Sequence, residues 1–160
     1  MKGSAHCGYT LGGNLVEQLA HEVPNIVGIK DSSGDMTQTE EFIRRNRDVE
    51  FQVYGGKDSL IFGAMCHGAA GCVATTANFV PKLVCSIIIK YENGDFIGSR
   101  EAQYELNPIR LAMDLASWPV STKDMANIVG RDIGNPYLPN LPTKGPIYEM
   151  MNDLLKNHIN

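Results

Sequence analysis

The sequence lacks any apolar run long enough to cross a membrane. Its longest apolar stretch, residues 83–89, is interrupted by Cys85 and Ser86 and is far shorter than the roughly 20 residues that a spanning helix needs. A charged segment followed by an apolar one, which is the pattern of a secretion signal, is also missing at the start. We therefore expect a cytoplasmic protein with no membrane partner.

Neither sign of charge dominates. The chain has 14 Lys and Arg residues against 18 Asp and Glu residues, for a net charge of −4, and its basic residues form no cluster. Nucleic-acid binding depends on such clusters because the partner is a polyanion. We therefore expect no nucleic-acid partner.

Cysteine is scarce and irregularly spaced. The four cysteines, Cys7, Cys66, Cys72 and Cys85, form no C-x-x-C pair, so we expect buried, reduced thiols. Cys66 and His67 are adjacent, but neighbouring residues on a helix point in different directions. We therefore expect no catalytic dyad, no metal site and no cofactor.

The rest of the composition is that of a globular protein. Hydrophobic residues make up 43% and charged residues 20% of the 160 residues. This length is enough for one domain with a real core and too short for two ordinary domains.

The most informative segment is residues 25–35, where a short apolar run ends on Lys30 and breaks into a polar turn. As a strand, it places Ile26, Gly28 and Lys30 on one face, with Gly28 leaving room beneath the lysine. A lysine amine that sheds part of its hydration can attack a carbonyl carbon and form a Schiff base. The spacing alone also fits a solvated lysine at the mouth of a strand–helix loop.

Short apolar strands alternate with helical patterns in the first part of the chain, which predicts a parallel sheet. Asp35 or Thr37 is the expected cap of the helix after Lys30, and Asp58 or Ser59 that of a later helix. Predicted helices cover residues 14–22, 58–66 and 81–91, and a further helix follows the cap at Asp35 or Thr37, with Phe42 and Ile43 as its buried stripe before the charged run 44–48. Predicted strands cover residues 26–30, 51–54 and 72–74, with a strand remnant near residues 8–10.

After Asn93 the pattern changes to helices without strands. We predict helices over residues 96–117, 121–129 and 147–157, and an extended proline-rich arm over residues 134–146. This divides the chain into βα units over residues 1–93 and a helical extension over residues 94–160. A sheet of three or four strands has two open edges, so the chain is part of a larger α/β structure or completes its sheet with another copy.

Several motifs resemble those of one family of pyruvate-dependent aldolases. Residues 24–35 (PNIVGIKDSSGD) are similar to the Schiff-base lysine motif of the dihydrodipicolinate synthase/N-acetylneuraminate lyase family. Residues 54–58 (YGGKD) and 68–81 (GAAGCVATTANFVP) resemble its next two βα units, and residues 107–109 and the arm resemble its C-terminal extension.

The resemblance implies half of a (β/α)8 barrel with three to four parallel strands and a C-terminal helical extension. It implies that Lys30 condenses with pyruvate, and that Gly55, Gly56, Val73 and Ala74 line the pyruvyl pocket. Residues 1–8 are irregular, so we expect a truncated or engineered half-barrel with a replaced or trimmed N-terminus.

One departure bears on activity. The family's Tyr–Asn–x–Pro motif, whose tyrosine relays protons, should precede Gly8, where His6 and Cys7 stand instead. Losing a positioned acid or base typically costs about 10²–10⁴-fold in rate, so we expect weak or lost catalysis.

Two classes of function therefore remain open. One is an active lyase or synthase of the dihydrodipicolinate synthase, 2-keto-3-deoxy-sugar-acid aldolase or N-acetylneuraminate lyase type. The other is a structural or assembly module without catalysis. In either case the open sheet edges predict a homodimer or a higher homo-oligomer.

Overall fold

The computed structural model describes residues 9–159. In that part of the chain the regular elements are α1 (Gly13–Glu22), β1 (Gly28–Asp31), α2 (Met36–Arg45), β2 (Gln52–Gly55), α3 (Ile61–Cys66), β3 (Gly71–Cys72), α4 (Pro81–Glu92), α5 (Phe96–Ala112), α6 (Val120–Ile128) and α7 (Pro146–Leu155). Short 3-10 turns cover Asp58–Leu60, Thr75–Asn78, Met113–Leu115 and Lys156–His158.

The three strands form one parallel sheet in the order β1-β2-β3. Lys30 pairs with Tyr54, and Tyr54 pairs in turn with Gly71. Each crossover runs through a helix, so the βα units expected from the alternating pattern are confirmed. Residues 9 and 10 are not part of a strand, so the expected strand remnant is not found there; Gly8 lies outside the described residues.

A small apolar cluster packs the β1 side of the sheet against α1 and α2. Val16, Phe42 and Val53 are its buried members, and Ile29 packs against them. The outer surface of the two helices is held by Arg45, which binds Glu41 on α2 and Glu17 on α1, both at 2.9 Å. Hydrogen bonds from Arg44 and Arg45 lower the pKa of Glu41 to about 2.

The main core lies under the β3 side and runs through the helical extension. Helices α3 to α7 all contribute buried side chains to it, among them Ile61, Ile87, Leu106, Met125, Met151 and Leu155. The extension therefore packs against the βα units as part of one apolar core. The expected boundary between the βα units and the helical extension, at residues 93 and 94, falls in the turn between α4 and α5. That these are two separate parts of the chain stays a prediction.

Several element boundaries differ from the expected ones. The long helix over residues 96–117 ends at Ala112 and tightens into a 3-10 turn, and Pro108 lies inside it without ending it. The third strand is only Gly71–Cys72, and the loop after it is the 3-10 turn Thr75–Asn78. Local spacing indicates an element's period but leaves its ends to tertiary contacts.

The proline-rich arm has no helix or strand between α6 and α7, as expected. Side chains of α6 hold the arm and the residue before it. Thr143 N–H donates to Asp124 at 2.8 Å, and Ile133 N–H donates to Asn127 Oδ1 at 2.8 Å. In the other direction, Lys123 donates to the Ile133 carbonyl at 3.0 Å and Asn127 donates to the Gly134 carbonyl at 3.1 Å. The arm thus has its two ends bound to α6, while Asn140 N–H donates to the Tyr137 carbonyl within the arm.

The expectation of buried thiols is wrong for two of the three described cysteines. Cys66 and Cys85 are free and exposed, because each lies on the outer side of its helix, whereas Cys72 is partly buried. Burial raises the pKa of Cys72 to about 11, so its thiol stays protonated at neutral pH. Cys7 lies outside the described residues. None of the described helices has the length and apolar character that crossing a membrane requires.

His21 at the end of α1 lies between two acceptors. Its Nδ1 is 2.8 Å from the Glu17 carbonyl oxygen, and its Nε2 is 3.2 Å from Asp48 Oδ2. Only the doubly protonated ring donates from both nitrogens. The carbonyl of Glu17, and then the carboxylate of Asp48, therefore raise the pKa of His21.

This pair predicts a pH-dependent contribution to stability. A raised folded-state pKa adds stability that is complete below the ordinary value of 6.5 and is lost as the pH rises through the folded-state pKa. We expect the difference in Tm between the wild-type chain and His21→Gln to be largest near about pH 5.5 and to disappear by about pH 8. Thermal unfolding across this range measures it, and a difference that does not change with pH would contradict the prediction.

Candidate functional site

Lys30 lies near the C-terminal end of β1, as the apolar run predicts. Ile29, its neighbour in the strand, points into the α1–α2 cluster, so Lys30 points to the opposite face of the sheet. Its side chain is partly buried. The lysine is therefore held by a hydrogen-bonded strand, with its side chain on the face of the sheet opposite to α1 and α2.

Gly28 has a different role from the one expected. A Cβ at position 28 would lie 2.6 Å from the backbone oxygen of Gln52, so the missing side chain lets β1 and β2 approach each other. The room above Gly28 is taken by the neighbouring strand and is not a space beneath Lys30.

The turn after Lys30 is built around the carboxylate of Asp31. Asp31 is 3% exposed and accepts hydrogen bonds from the Ser33 N–H and hydroxyl, from Gln38 Nε2 and from Thr39 Oγ1, at 2.8 to 3.0 Å. Its side chain faces α2, away from Lys30, so its contribution is to fix the end of β1. Asp35 caps α2 by accepting from Thr37 N–H at 3.0 Å, as expected.

Gly56 brings the next strand directly against the lysine. Its N–H donates to the Asp31 carbonyl at 2.7 Å. A Cβ at position 56 would overlap Ser32 Oγ and come within 2.8 Å of Lys30 Cε. The side chains of Lys30 and Ser32 therefore occupy the space that any larger residue at position 56 would need.

The other three expected pocket residues are divided between the two faces of the sheet. Val73 follows β3, alternates with Cys72 and is 48% exposed on the Lys30 side. Ala74 packs against the main core, and a Cβ on Gly55 would point at Ala64 of α3. The structure thus brings Gly56 and Val73 to the lysine face and leaves Gly55 and Ala74 to contribute backbone only.

Sequence reasoning missed the contacts that hold the loops beyond β2 and β3. Asp58 does not cap a helix; it accepts from Thr76 N–H and Thr76 Oγ1, both at 2.7 Å, and so joins the two loops. Gln103 on α5 donates to the Asp58 carbonyl at 3.0 Å and accepts from Phe62 N–H. These partners lie 18 to 45 residues apart along the chain, and the only signal is that a polar side chain is buried.

The arrangement offers a primary amine at the C-terminal edge of a parallel sheet, which is where α/β proteins place their ligands. An amine so placed can add to a carbonyl carbon and lose water to form an imine. Among residues 9–159 there is no group of three or more His, Cys, Asp or Glu side chains that could hold a metal ion. His67 faces Glu40 at 3.6 Å.

Comparison with known proteins shows which family the chain resembles. A model of the Dihydrodipicolinate synthetase family matches residues 4–158. The chain is 33% identical over 133 residues to the 4-hydroxy-tetrahydrodipicolinate synthase of Thermoanaerobacter sp. (strain X514), which covers 83% of this chain and 42% of that protein.

Solved structures agree on the fold. The crystal structure of dihydrodipicolinate synthase from Thermotoga maritima superposes with a TM-score of 0.91 at 24% identity, over 98% of this chain and 54% of that chain. A second match is YagE of Escherichia coli K12, a prophage protein of the dihydrodipicolinic acid synthase family in complex with pyruvate, with a TM-score of 0.88 at 24% identity over 98% and 54%. The architecture is a partial (β/α)8 barrel with a C-terminal helical extension. The chain spans about half the length of the relatives it matches.

The packing at Gly56 makes a prediction about stability. In Gly56→Ala the new methyl group would overlap Ser32 and lie 2.9 Å from the Asp31 carbonyl oxygen, which is backbone and cannot move cheaply. We expect a loss of about 1–3 kcal/mol in the free energy of unfolding, measured by urea denaturation.

Gly12→Ala is the matched control, because a Cβ there meets no atom of the described residues within 4 Å. It should lower the free energy of unfolding by less than Gly56→Ala does, because its only cost is that alanine is a poorer N-cap of α1 than glycine. Equal stability of Gly56→Ala and the wild-type chain would contradict the close packing of Lys30, Ser32 and Gly56.

Proposed function

Since this chain belongs to the dihydrodipicolinate synthetase family, we propose that Lys30 forms a Schiff base with pyruvate or a closely related 2-oxo acid. The proposal depends on one observation, which is how Lys30 is held. Asp31 fixes the end of the strand that carries the lysine, and Gly56 lies against the lysine side chain. In the reaction the amine nitrogen bonds to the carbonyl carbon, and the carbonyl oxygen leaves as water.

The choice of pyruvate is supported by chemistry and by likeness. A lysine amine condenses with ketones and aldehydes, and a 2-oxo acid is a ketone with a carboxylate beside it. YagE, with which this chain shares its fold, binds pyruvate. We propose that Gly56, which lies against Lys30, and Val73, exposed on the same face of the sheet, line the space for the methyl and carboxylate groups of such a molecule.

We propose that the later carbon–carbon step is slow in this chain. That step needs a group that moves protons to and from the imine, and His6 and Cys7 stand in the sequence where the family's Tyr–Asn–x–Pro motif is expected. Losing a positioned acid or base typically costs about 10²–10⁴-fold.

A second candidate function, a module that assembles without catalysis, is favoured by the open sheet. Val27, just before β1, is 62% exposed, and Val73, just after β3, is 48% exposed, whereas apolar residues next to a parallel sheet are usually covered. We propose that β1 and β3, each paired on one side only within the described residues, are covered by a second copy in a homodimer or a higher homo-oligomer. The free thiols of Cys66, Cys72 and Cys85 support the expected cytoplasmic location.

Schiff-base formation predicts a covalent adduct. After incubation with pyruvate and cyanoborohydride, intact-mass spectrometry and peptide mapping should find one reduced pyruvyl group on Lys30. Lys30→Arg should give none, because a guanidinium keeps the charge but is not a nucleophile. Lys57→Arg, in the neighbouring loop, should label as the wild-type chain does. Folded wild-type chain without an adduct on Lys30 would contradict the proposal.

Assembly predicts a mass in solution of at least twice the 17.5 kDa of the chain. Light scattering after gel filtration at micromolar concentration measures it. Val27→Asp places a charge on the open edge and should shift the mass toward the monomer. Ile97→Asp, on the exposed side of α5 and 69% exposed in the wild-type chain, should not. A stable wild-type monomer would rule out the assembly.

A further inference from the structure

A hydroxyl group lies beside Lys30 on the same side of the sheet. Ser32 follows β1 two residues after Lys30, and the alternation of the strand directs both side chains to one face. Both also fill the space above Gly56, where a Cβ would overlap Ser32 Oγ and approach Lys30 Cε to 2.8 Å. The hydroxyl and the carbon that carries the amine therefore converge on one point.

Two other hydroxyls lie near the lysine, and each has a hydrogen-bond partner among the described residues, whereas that of Ser32 has none there. The Ser33 hydroxyl donates to Asp31 at 3.0 Å, and the Tyr54 hydroxyl donates to Gln52. Among the residues that the structure describes, the Ser32 hydroxyl makes no hydrogen bond. Of these three hydroxyls, only that of Ser32 is available to a molecule bound at Lys30.

Imine formation has a step that such a hydroxyl can serve. The amine first adds to the carbonyl carbon to give a carbinolamine, which carries one hydroxyl and one remaining N–H. That N–H proton must leave nitrogen, and the hydroxyl must gain a proton before it departs as water. A serine hydroxyl both donates and accepts, so it can carry out the two transfers together.

We infer that Ser32 is a catalytic residue that relays this proton. Its oxygen accepts the N–H proton while its own proton passes to the carbinolamine hydroxyl. The carbon–oxygen bond breaks, water leaves, and the electrons of the N–H bond form the carbon–nitrogen double bond. Ser32 ends the step as a hydroxyl, so no other reactant is consumed. This inference rests on the proposed function of Lys30.

The test compares the wild-type chain with Ser32→Ala, Ser32→Thr and Tyr54→Phe. The rate of adduct formation on Lys30 is followed with pyruvate and cyanoborohydride, at a reductant concentration above which the rate no longer rises. We expect Ser32→Ala to lower the maximal rate at least about tenfold, with water replacing part of the relay. The pyruvate concentration at half-maximal rate and the Tm should stay close to those of the wild-type chain.

The two other variants separate the relay from a structural role. Ser32→Thr keeps a hydroxyl and should restore most of the rate, whereas Tyr54→Phe removes a hydroxyl already used by Gln52 and should not change it. An unchanged rate in Ser32→Ala, with Lys30 labelled in the wild-type chain, would overturn the relay and leave the proposed function standing. Folded wild-type chain that never labels on Lys30 would overturn the proposed function and the relay with it.

Discussion

The buried carboxylate of Asp31 is the contact on which the geometry around Lys30 depends. Through its side chain it binds the turn after β1 and the first turns of α2, with four donors from Ser33, Gln38 and Thr39. Through its backbone carbonyl it accepts the N–H of Gly56 and so joins the end of β1 to the end of β2. Asp31 thus binds the end of β1 both to α2 and to β2. The side chain of Lys30, the residue before it, extends from the opposite face of the sheet. Replacing this carboxylate would remove the acceptor of the buried Thr39 hydroxyl and of three partly buried donors, and a donor that stays buried without a partner costs about 1–3 kcal/mol.

A second set of hydrogen bonds holds the C-terminal ends of β2 and β3. Asp58 joins the loops after β2 and β3 through Thr76, and Gln103 of α5 holds the Asp58 backbone. The helical extension is therefore a support for the strand ends, because its buried side chains form the main core together with α3 and α4. The β1 side is packed by a smaller cluster, whose buried members are Val16, Phe42 and Val53. These two clusters hold the strand ends in place although, within residues 9–159, β1 and β3 are each paired on one side only.

The sequence pattern predicts a structural element correctly where the interactions that form it are between residues close in the chain. The alternation of residues 26–30 predicted a strand ending near Lys30, Asp35 was an expected cap, and Pro81 begins α4 as its fixed φ favours. The pattern failed where the partner is distant in sequence. Asp58 is expected as a helix cap, but its carboxylate binds Thr76 in the loop after β3. Gly28 is expected to leave space beneath the lysine, but it allows a close contact between β1 and β2. The exposure of Cys66 and Cys85 depends on how their helices pack. The closeness of Ser32 to Lys30 depends on the register of β1 and β2, which brings Gly56 against both side chains.

The most direct test of the account is a crystal structure of the chain after reaction with pyruvate and cyanoborohydride. The account predicts continuous electron density from Lys30 Nζ to the central carbon of the pyruvyl group, lying over Gly56 with Ser32 Oγ beside it. Density on a different lysine, or an unmodified Lys30 in a strand that has left its register with β2, would contradict the claim that this half of a barrel holds an imine-forming site.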